Sequence, residues 1–290
     1  MFTDDQNHVW VRRARPLLGT TVMIHVRRDA QAGQARDGSR SLHYAIDAAF
    51  DGIERIACAM SAHRRDSDLA RLARAQPGSL ATLDPHTVRV LRIAQQWHAL
   101  SRGAFDPVIA ARHLAARGVR PAFDGIALEP SATLRDVEIV SNSVVRLTAP
   151  LPLDLGGIAK GYAVDRAVEI LREHGIASAL VNAGGDLRAY GPAAWPVEVR
   201  HPASFSRTRR LTGLRALTNS ALATSVAAPL NAEFVRTVRR RRGASWQSCT
   251  ALARDCVTAD VLTKWGLQAP GDSMRLRRIV RAHGASLWRS

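Results

Sequence analysis

Lysine is almost missing from this 290-residue chain: of its 41 basic residues, only Lys160 and Lys264 are not arginine. Acidic residues are also few, 25 in all, which leaves a formal charge of +16. Such a field attracts anions of every kind, from nucleotides to membrane surfaces, and selects none of them. Cysteine is scarce too. Cys58, Cys249 and Cys256 are an odd set with no CxxC pair, which argues against a disulfide framework or a zinc knot. Cys58 falls among apolar residues on a helical face and is expected in the core. No apolar run is long enough to span a bilayer. The first twenty residues carry two early acids and no continuous apolar segment, so neither a signal peptide nor a lipid anchor is read there and the expected compartment is the cytoplasm. Aromatic-basic interleaving, zinc-ligand spacing and a helix-turn-helix pattern are absent, so no specific nucleic-acid partner is expected. What the chain does have is a hydrophobic content of 46%. That supports a sizeable core, in one large domain over 1–290 or two intimately packed subdomains.

The pattern alternates strands and helices without a repeat or a clean linker. Leu17 to Val26 is rich in β-branched residues and reads as a strand or hairpin arm. Asp29 to Arg40 reads as a loop. From Ser41, Leu42, Ile46, Ala49, Phe50, Ile53, Ile56, Ala57 and Met60 recur at helical spacing, with Ser39 or Ser41 as the cap. Further helices are expected from Ser67, from Pro85 to about Leu100, and from Ile158 to His174. Gly175 stands at the C-terminal stop of the last of these. Two short strands flank the turn Ser141-Asn142-Ser143. Three more are expected at Ala179–Asn182, Leu187–Tyr190 and Val197–Arg200. The pattern is weak beyond Arg207, and Arg239 to Arg242 reads as a solvated loop or turn.

Two glycine-bearing segments carry candidate chemistry. In Leu153–Leu171, a short apolar strand ends at Asp154, Gly156 and Gly157 follow, and a helix starts behind them. Glycine lets a backbone approach a ligand closely, the helix start offers free N–H groups, and Lys160 adds a point charge. The arrangement suits a pyrophosphate; a plain strand-turn-helix with a surface lysine fits the same residues. In Leu180–Gly191, Gly184, Gly185 and Asp186 lie between strands. They are either a second backbone-lined concavity or an ordinary hairpin or bulge with a satisfied aspartate. His63, His98, His113, His201 and His283 show no ligand spacing and read as surface or satisfied core residues.

LDLGGIAKGYAVDR followed by LVNAGGDL, at this spacing, resembles the signature of the ApbE family, the FAD:protein FMN transferases. Further elements are similar in the same order: Leu18-Gly19-Thr20-Thr21; Met60-Ser61-Ala62-His63 with Asp66-Ser67-Asp68-Leu69; Ser101 to Pro107; Ala223-Thr224-Ser225; and Thr258-Ala259-Asp260. The resemblance runs from about Leu17 to Gln268. It implies an α+β fold of mixed and antiparallel sheets with packed helices, a T-fold-like core plus an α/β portion. It implies FAD and Mg²⁺, and transfer of FMN to a Thr or Ser hydroxyl of a target flavoprotein subunit with release of AMP. Such a reaction needs charge on the pyrophosphate, donors around it and an activated hydroxyl. Carried over residue by residue, the metal falls to the carbonyl of Ala159 and to Asp260, with Thr263 beside them. Asp260 and Lys264 stand at the reacting centre. Lys160 and Asp165 face the nucleotide, Gly184, Gly185 and Asp186 wall the flavin pocket, and Gly19, Ser67, Asp106, Gly156, Gly157 and Ser225 complete the cofactor side.

The chain departs from the family pattern in three places. No His-x-x-Asp-Pro element occurs between Ser225 and Thr258, so its usual candidate for a general base is missing. Lys264 stands four residues after Asp260, where a metal-ligating Thr is usual, and Thr263 is one position, about 100°, around the helix. A charged lysine cannot ligate a metal but can contact a phosphate. Val226 follows Ser225 in place of Gly. Two functions are therefore expected to compete: FMN transfer with an altered acid-base arrangement, or a catalytically impaired FAD-binding protein or flavoprotein maturation scaffold. Nothing in the sequence specifies an oligomeric state.

Overall fold

The computed structural model describes residues 8–29, 36–108, 132–149, 151–198, 214–226, 246–271 and 273–290. His113, His201, the Arg239–Arg242 run and the end of the strand expected at Val197–Arg200 lie outside the described residues. Twelve strands and six α-helices are described. The strands are β1 His8–Leu17, β2 Thr20–Asp29, β3 Leu80–Thr82, β4 Val137–Ile139, β5 Val144–Leu147, β6 Ser178–Ala183, β7 Asp186–Tyr190, β8 Trp195–Glu198, β9 Leu214–Leu217, β10 Ser220–Val226, β11 Ser248–Ala253 and β12 Ser286–Arg289. The helices are α1 Arg36–Ala59, α2 Asp68–Arg74, α3 Pro85–Ser101, α4 Ala159–Glu173, α5 Cys256–Gln268 and α6 Met274–Ala282. No helix among the described residues is long and apolar enough to cross a membrane.

Seven strands form the main sheet in the order β1-β2-β6-β7-β10-β11-β12, and every described pairing is antiparallel. Strand alternation sorts side chains to its two faces. Ala179, Val181 and Ala183 of β6 and Ala221 and Ala223 of β10 join one large apolar cluster, in which α1, α4 and α5 also bury their inner faces. Leu180, Leu187, Ala189 and Leu222 point the other way, onto Trp195, Val197 and Leu217 of the β8–β9 hairpin. The same alternation turns Asp186, Arg188 and Ser225 toward the helices, which is what makes a polar site possible there. A small sheet, β3-β5-β4, stands apart from the main one.

The hairpin expected around Leu17–Val26 is longer than the sequence suggests. Its two-residue turn is Leu18-Gly19, both at positive φ (56° and 68°), the geometry that matches strand twist in tight hairpins. The expected loop at Asp29–Arg40 is corrected at both ends: Asp29 belongs to β2, and α1 begins at Arg36, which places Ser39 and Ser41 inside the helix. The apolar periodicity starts only at Leu42, so the polar turn before it carries no helical signal in the sequence. Cys58 is only half-buried, on the flank of the helix, while Cys249 and Cys256 are buried. Elsewhere the helix faces agree with expectation, with Val88, Leu91, Ala94 and Trp97 of α3 and Ala163, Ala167, Ile170 and Leu171 of α4 all buried.

Candidate functional site

The N-terminal turn of α4 and the first half of α5 meet beneath the central strands β7 and β10. Gly161 makes this approach possible. A Cβ built on it would lie 2.5 Å from the carbonyl oxygen of Cys256 and 2.9 Å from Cβ of Asp260, distances no side chain tolerates. The close approach lets Asp260 Oδ2 accept from the Gly161 amide at 3.1 Å. Asp260 is fully buried, and its second oxygen, Oδ1, accepts from Lys264 Nζ at 2.8 Å, one turn along the same helix.

Lys264 Nζ also donates to Ser225 Oγ on β10 and lies 3.5 Å from Thr263 Oγ1. Thr263 is buried, and its hydroxyl bonds the Asp260 carbonyl at 2.7 Å and Ser225 Oγ at 2.7 Å. On the other side of the cluster, Lys160 Nζ donates to Asp186 Oδ2, whose side chain is 1% exposed. The lysine ends are less covered, at 30% for Lys160 and 27% for Lys264, so both ammoniums reach toward the surface from buried carboxylates. Burial works to strip the Lys160 proton, but the charges of Asp186 and Asp260 prevail and hold its pKa above the ordinary value. Burial, and then the neighbouring Asp260 carboxylate, push the Asp186 carboxyl up, while Lys160 and Lys264 pull it back.

The glycine turns frame this cluster. A Cβ at Gly157 would stand 3.3 Å from Cγ of Lys264 and 3.4 Å from the Phe105 ring. The Gly156 amide donates to Asp154 Oδ1 at 2.8 Å, and burial raises the Asp154 carboxyl, against the pull of the Gly156 amide and His63. Gly184 has φ 65°, and a Cβ there would lie 2.5 Å from Thr20 Oγ1, so the β6–β7 turn rests against the start of β2, beside the Leu18-Gly19 turn. Gly185, at φ 102°, faces open space, and its amide donates to Asn182 Oδ1.

Several expected site residues have structural partners instead. Asp165 accepts from the backbone amides of Cys256 and Val257, each at 2.9 Å, and from Arg188 at 2.8 Å. It therefore tethers α4 to the positive end of α5 and has its oxygens occupied, rather than turned to a nucleotide. Ser67 caps α2, accepting from the Ala70 amide and donating to the Arg64 carbonyl. Asp106 accepts from the Val108 amide at 2.9 Å, with His98 3.7 Å away. Ala159 is the first residue of α4, 7% exposed. Sequence reasoning missed Gly161 and Arg188. A glycine in the first turn of an otherwise strong helix was the available signal for the first, since glycine there costs about 1 kcal/mol without a packing reason. The second had none.

The oxygens that the resemblance offers a hard cation are the Ala159 carbonyl, Asp260 Oδ and Thr263 Oγ1, with Ser225 Oγ beside them. Both oxygens of Asp260 already have N–H donors, and an ammonium sits among the set. Among the described residues no group of three or more His, Cys, Asp or Glu is placed to hold a metal ion. The arrangement does not fit Mg²⁺. A cavity of about 720 Å³ lies along α6, lined by Arg102, Met274, Arg275, Arg277, Arg278 and Arg281 among others. It shares no residue with the cluster and has no carboxylate or nucleophile.

Comparison with known proteins places this chain in a family. The ApbE family model matches residues 18–274, and the chain belongs to that family. A protein of Treponema pallidum named FAD:protein FMN transferase is 30% identical over 196 residues, 62% of this chain and 51% of the relative. One of Vibrio cholerae with the same name is 25% identical over 210 residues, 68% of this chain and 61% of the relative. This chain's matches thus span between about half and three-fifths of those curated relatives. The fold matches the flavin transferase ApbE of Vibrio cholerae, with a TM-score of 0.74 at 22% identity over 97% of this chain and 93% of that one. It matches the Thermotoga maritima ApbE protein with 0.75 at 24% identity, over 97% and 94%.

Proposed function

We propose that this chain transfers the FMN part of FAD to a Ser or Thr hydroxyl of a target flavoprotein subunit. The acceptor oxygen forms a bond to the FMN phosphorus, the pyrophosphate bond breaks, AMP leaves with the bridging oxygen, and the hydroxyl proton is lost. The observation that carries this reading is the convergence of the chain's only two lysines on Asp186 and Asp260, between two glycine turns, in a family whose curated members bear the name FAD:protein FMN transferase.

Each residue of the cluster has a role in that chemistry. Lys160 and Lys264 neutralise phosphate charge from partly exposed positions, and the buried carboxylates Asp186 and Asp260 hold the ammoniums where the charge is needed. Ser225 and Thr263 fix the Lys264 end. The Gly156-Gly157 turn admits a phosphate group beside Lys264, and the Gly184-Gly185 turn borders the flavin. FAD is the donor substrate. The Mg²⁺ that the resemblance implies has no fitting ligand set here, and no step is routed through it.

The test mixes the purified chain, FAD and a flavoprotein subunit bearing an acceptor hydroxyl. AMP should form only when all three are present, and an Ala at the acceptor hydroxyl should stop it. AMP formation that ignores the acceptor would make the chain a pyrophosphatase. FAD binding with no AMP would leave it a flavin-nucleotide-binding protein.

A further inference from the structure

We propose that Lys264 is the resident cation of this site, so that the chain holds a nucleotide diphosphate without a divalent metal. The inference rests on the reading of the cluster as the FAD pyrophosphate site. Its first support is composition. Wherever else this chain places a basic residue it uses arginine, and the two exceptions both lie in this cluster. An ammonium is a compact point charge with three donors, whereas a guanidinium is a larger planar fork suited to bidentate partners.

The second support is the cage itself. Lys264 Nζ has Asp260 Oδ1 at 2.8 Å, Ser225 Oγ in direct hydrogen bond and Thr263 Oγ1 at 3.5 Å. A carboxylate and two hydroxyls are the oxygen donors a hard cation would take, and here they surround nitrogen. Asp260 and Thr263 are fully buried, so the cage is built into the fold rather than assembled from mobile surface groups. The long contact to Thr263 is the one an incoming phosphate oxygen replaces most easily.

Charge balance is the third support. Each ammonium is already paired with a carboxylate, and its partly exposed end keeps a donor for a phosphate oxygen. A divalent ion bound to Asp260 would stand against an ammonium hydrogen-bonded to the same carboxylate, in a site largely shielded from water, where like charges repel strongly. The Lys264 stem lies along Gly157, which has no Cβ to push it aside. The ammonium is thereby held at the turn where the α4 helix begins, and its end remains partly exposed.

The experiment measures FAD affinity of the full chain by calorimetry, in EDTA and in Mg²⁺. It uses the wild type, Lys264→Met and Lys264→Thr, each checked for folding by circular dichroism. The wild type should bind FAD with the same affinity in both buffers. Lys264→Met should lose about tenfold or more in EDTA, the loss of a charge-assisted contact. Lys264→Thr should be weak in EDTA and recover in Mg²⁺, because it returns an oxygen to the cage and removes the repelling charge. Wild-type binding that collapses in EDTA, or Lys264→Met binding as well as wild type there, overturns the inference while leaving the flavin site standing. Wild type that binds FAD in neither buffer overturns both. If the variants do not fold, the wild-type comparison between the two buffers decides.

Discussion

Asp165 shows how a single carboxylate can work for the fold in a place where resemblance assigns it to a ligand. Burial pushes its pKa up to about 6 from 3.8, against the pull of Arg188 and the two amides at the head of α5. Because the folded value lies above the unfolded one, the folded state binds the proton more tightly. The stability this group contributes is complete below about pH 4 and is lost as pH rises through about 6. Relative to Asp165→Asn, the wild type should lose about 2–3 kcal/mol between those limits, read from urea denaturation at a series of pH values. Parallel pH profiles for the two proteins would contradict this. Gly157 stands at the turn where the proposed function puts the pyrophosphate. Gly157→Leu should abolish FAD binding in calorimetry while leaving the melting temperature within a few degrees, because the nearest atoms to its Cβ are those of the Phe105 ring and the flexible Lys264 stem. Lys160 and Asp186 were legible beside the two glycine turns, and Asp260 and Lys264 only through the family resemblance. That Asp186 holds Lys160 was not legible, because 26 residues separate them, whereas Asp260 and Lys264 are one helical turn apart.

The crossing of α4 and α5 is the element on which the site depends. Three links fix it: the bare backbone at Gly161, the Asp260 bond to the Gly161 amide, and the Asp165 bonds to the first amides of α5. In an isolated helix Gly161→Ala would stabilise by about 1 kcal/mol. Here the added methyl meets the Cys256 carbonyl, so the substitution should instead destabilise by about 1–3 kcal/mol and weaken FAD binding, measured by chemical denaturation and titration. A more stable variant would show that the helices do not touch there. Helix α4 was readable nearly to the residue from its apolar spacing and Gly175, and α3 likewise. The strands β11 and β12 and helix α6 were not. Ser-Cys-Thr-Ala-Leu-Ala is mostly small residues without the β-branched run that marks a strand, and Met-Arg-Leu-Arg-Arg-Ile-Val-Arg-Ala is so basic that its apolar stripe is thin. The three-residue strand β3 is too short to carry a period.

At the scale of the molecule, the sheet order makes the site. Strand β10 pairs with β7 because the chain leaves the main sheet for the β8–β9 hairpin, which covers the opposite face, and then returns. That excursion brings Ser225 to the side of the sheet where Asp186 waits, and α5, following β11, lays Asp260 and Lys264 across them. No local pattern encodes this adjacency. The family resemblance supplied it, by keeping the motifs in order across most of the chain. The net charge of +16, carried almost wholly by arginine, belongs to the molecule at large, whereas in this cluster each lysine is paired with an aspartate. The central claim is that this chain moves FMN from FAD to a flavoprotein with those groups. It is tested most directly by the intact mass of an acceptor subunit after incubation with FAD and either the wild type or Lys160→Met. The account predicts an acceptor heavier by one FMN less water with the wild type and unchanged with the variant. An unmodified acceptor with the folded, FAD-bound wild type, or equal modification by the variant, would contradict it.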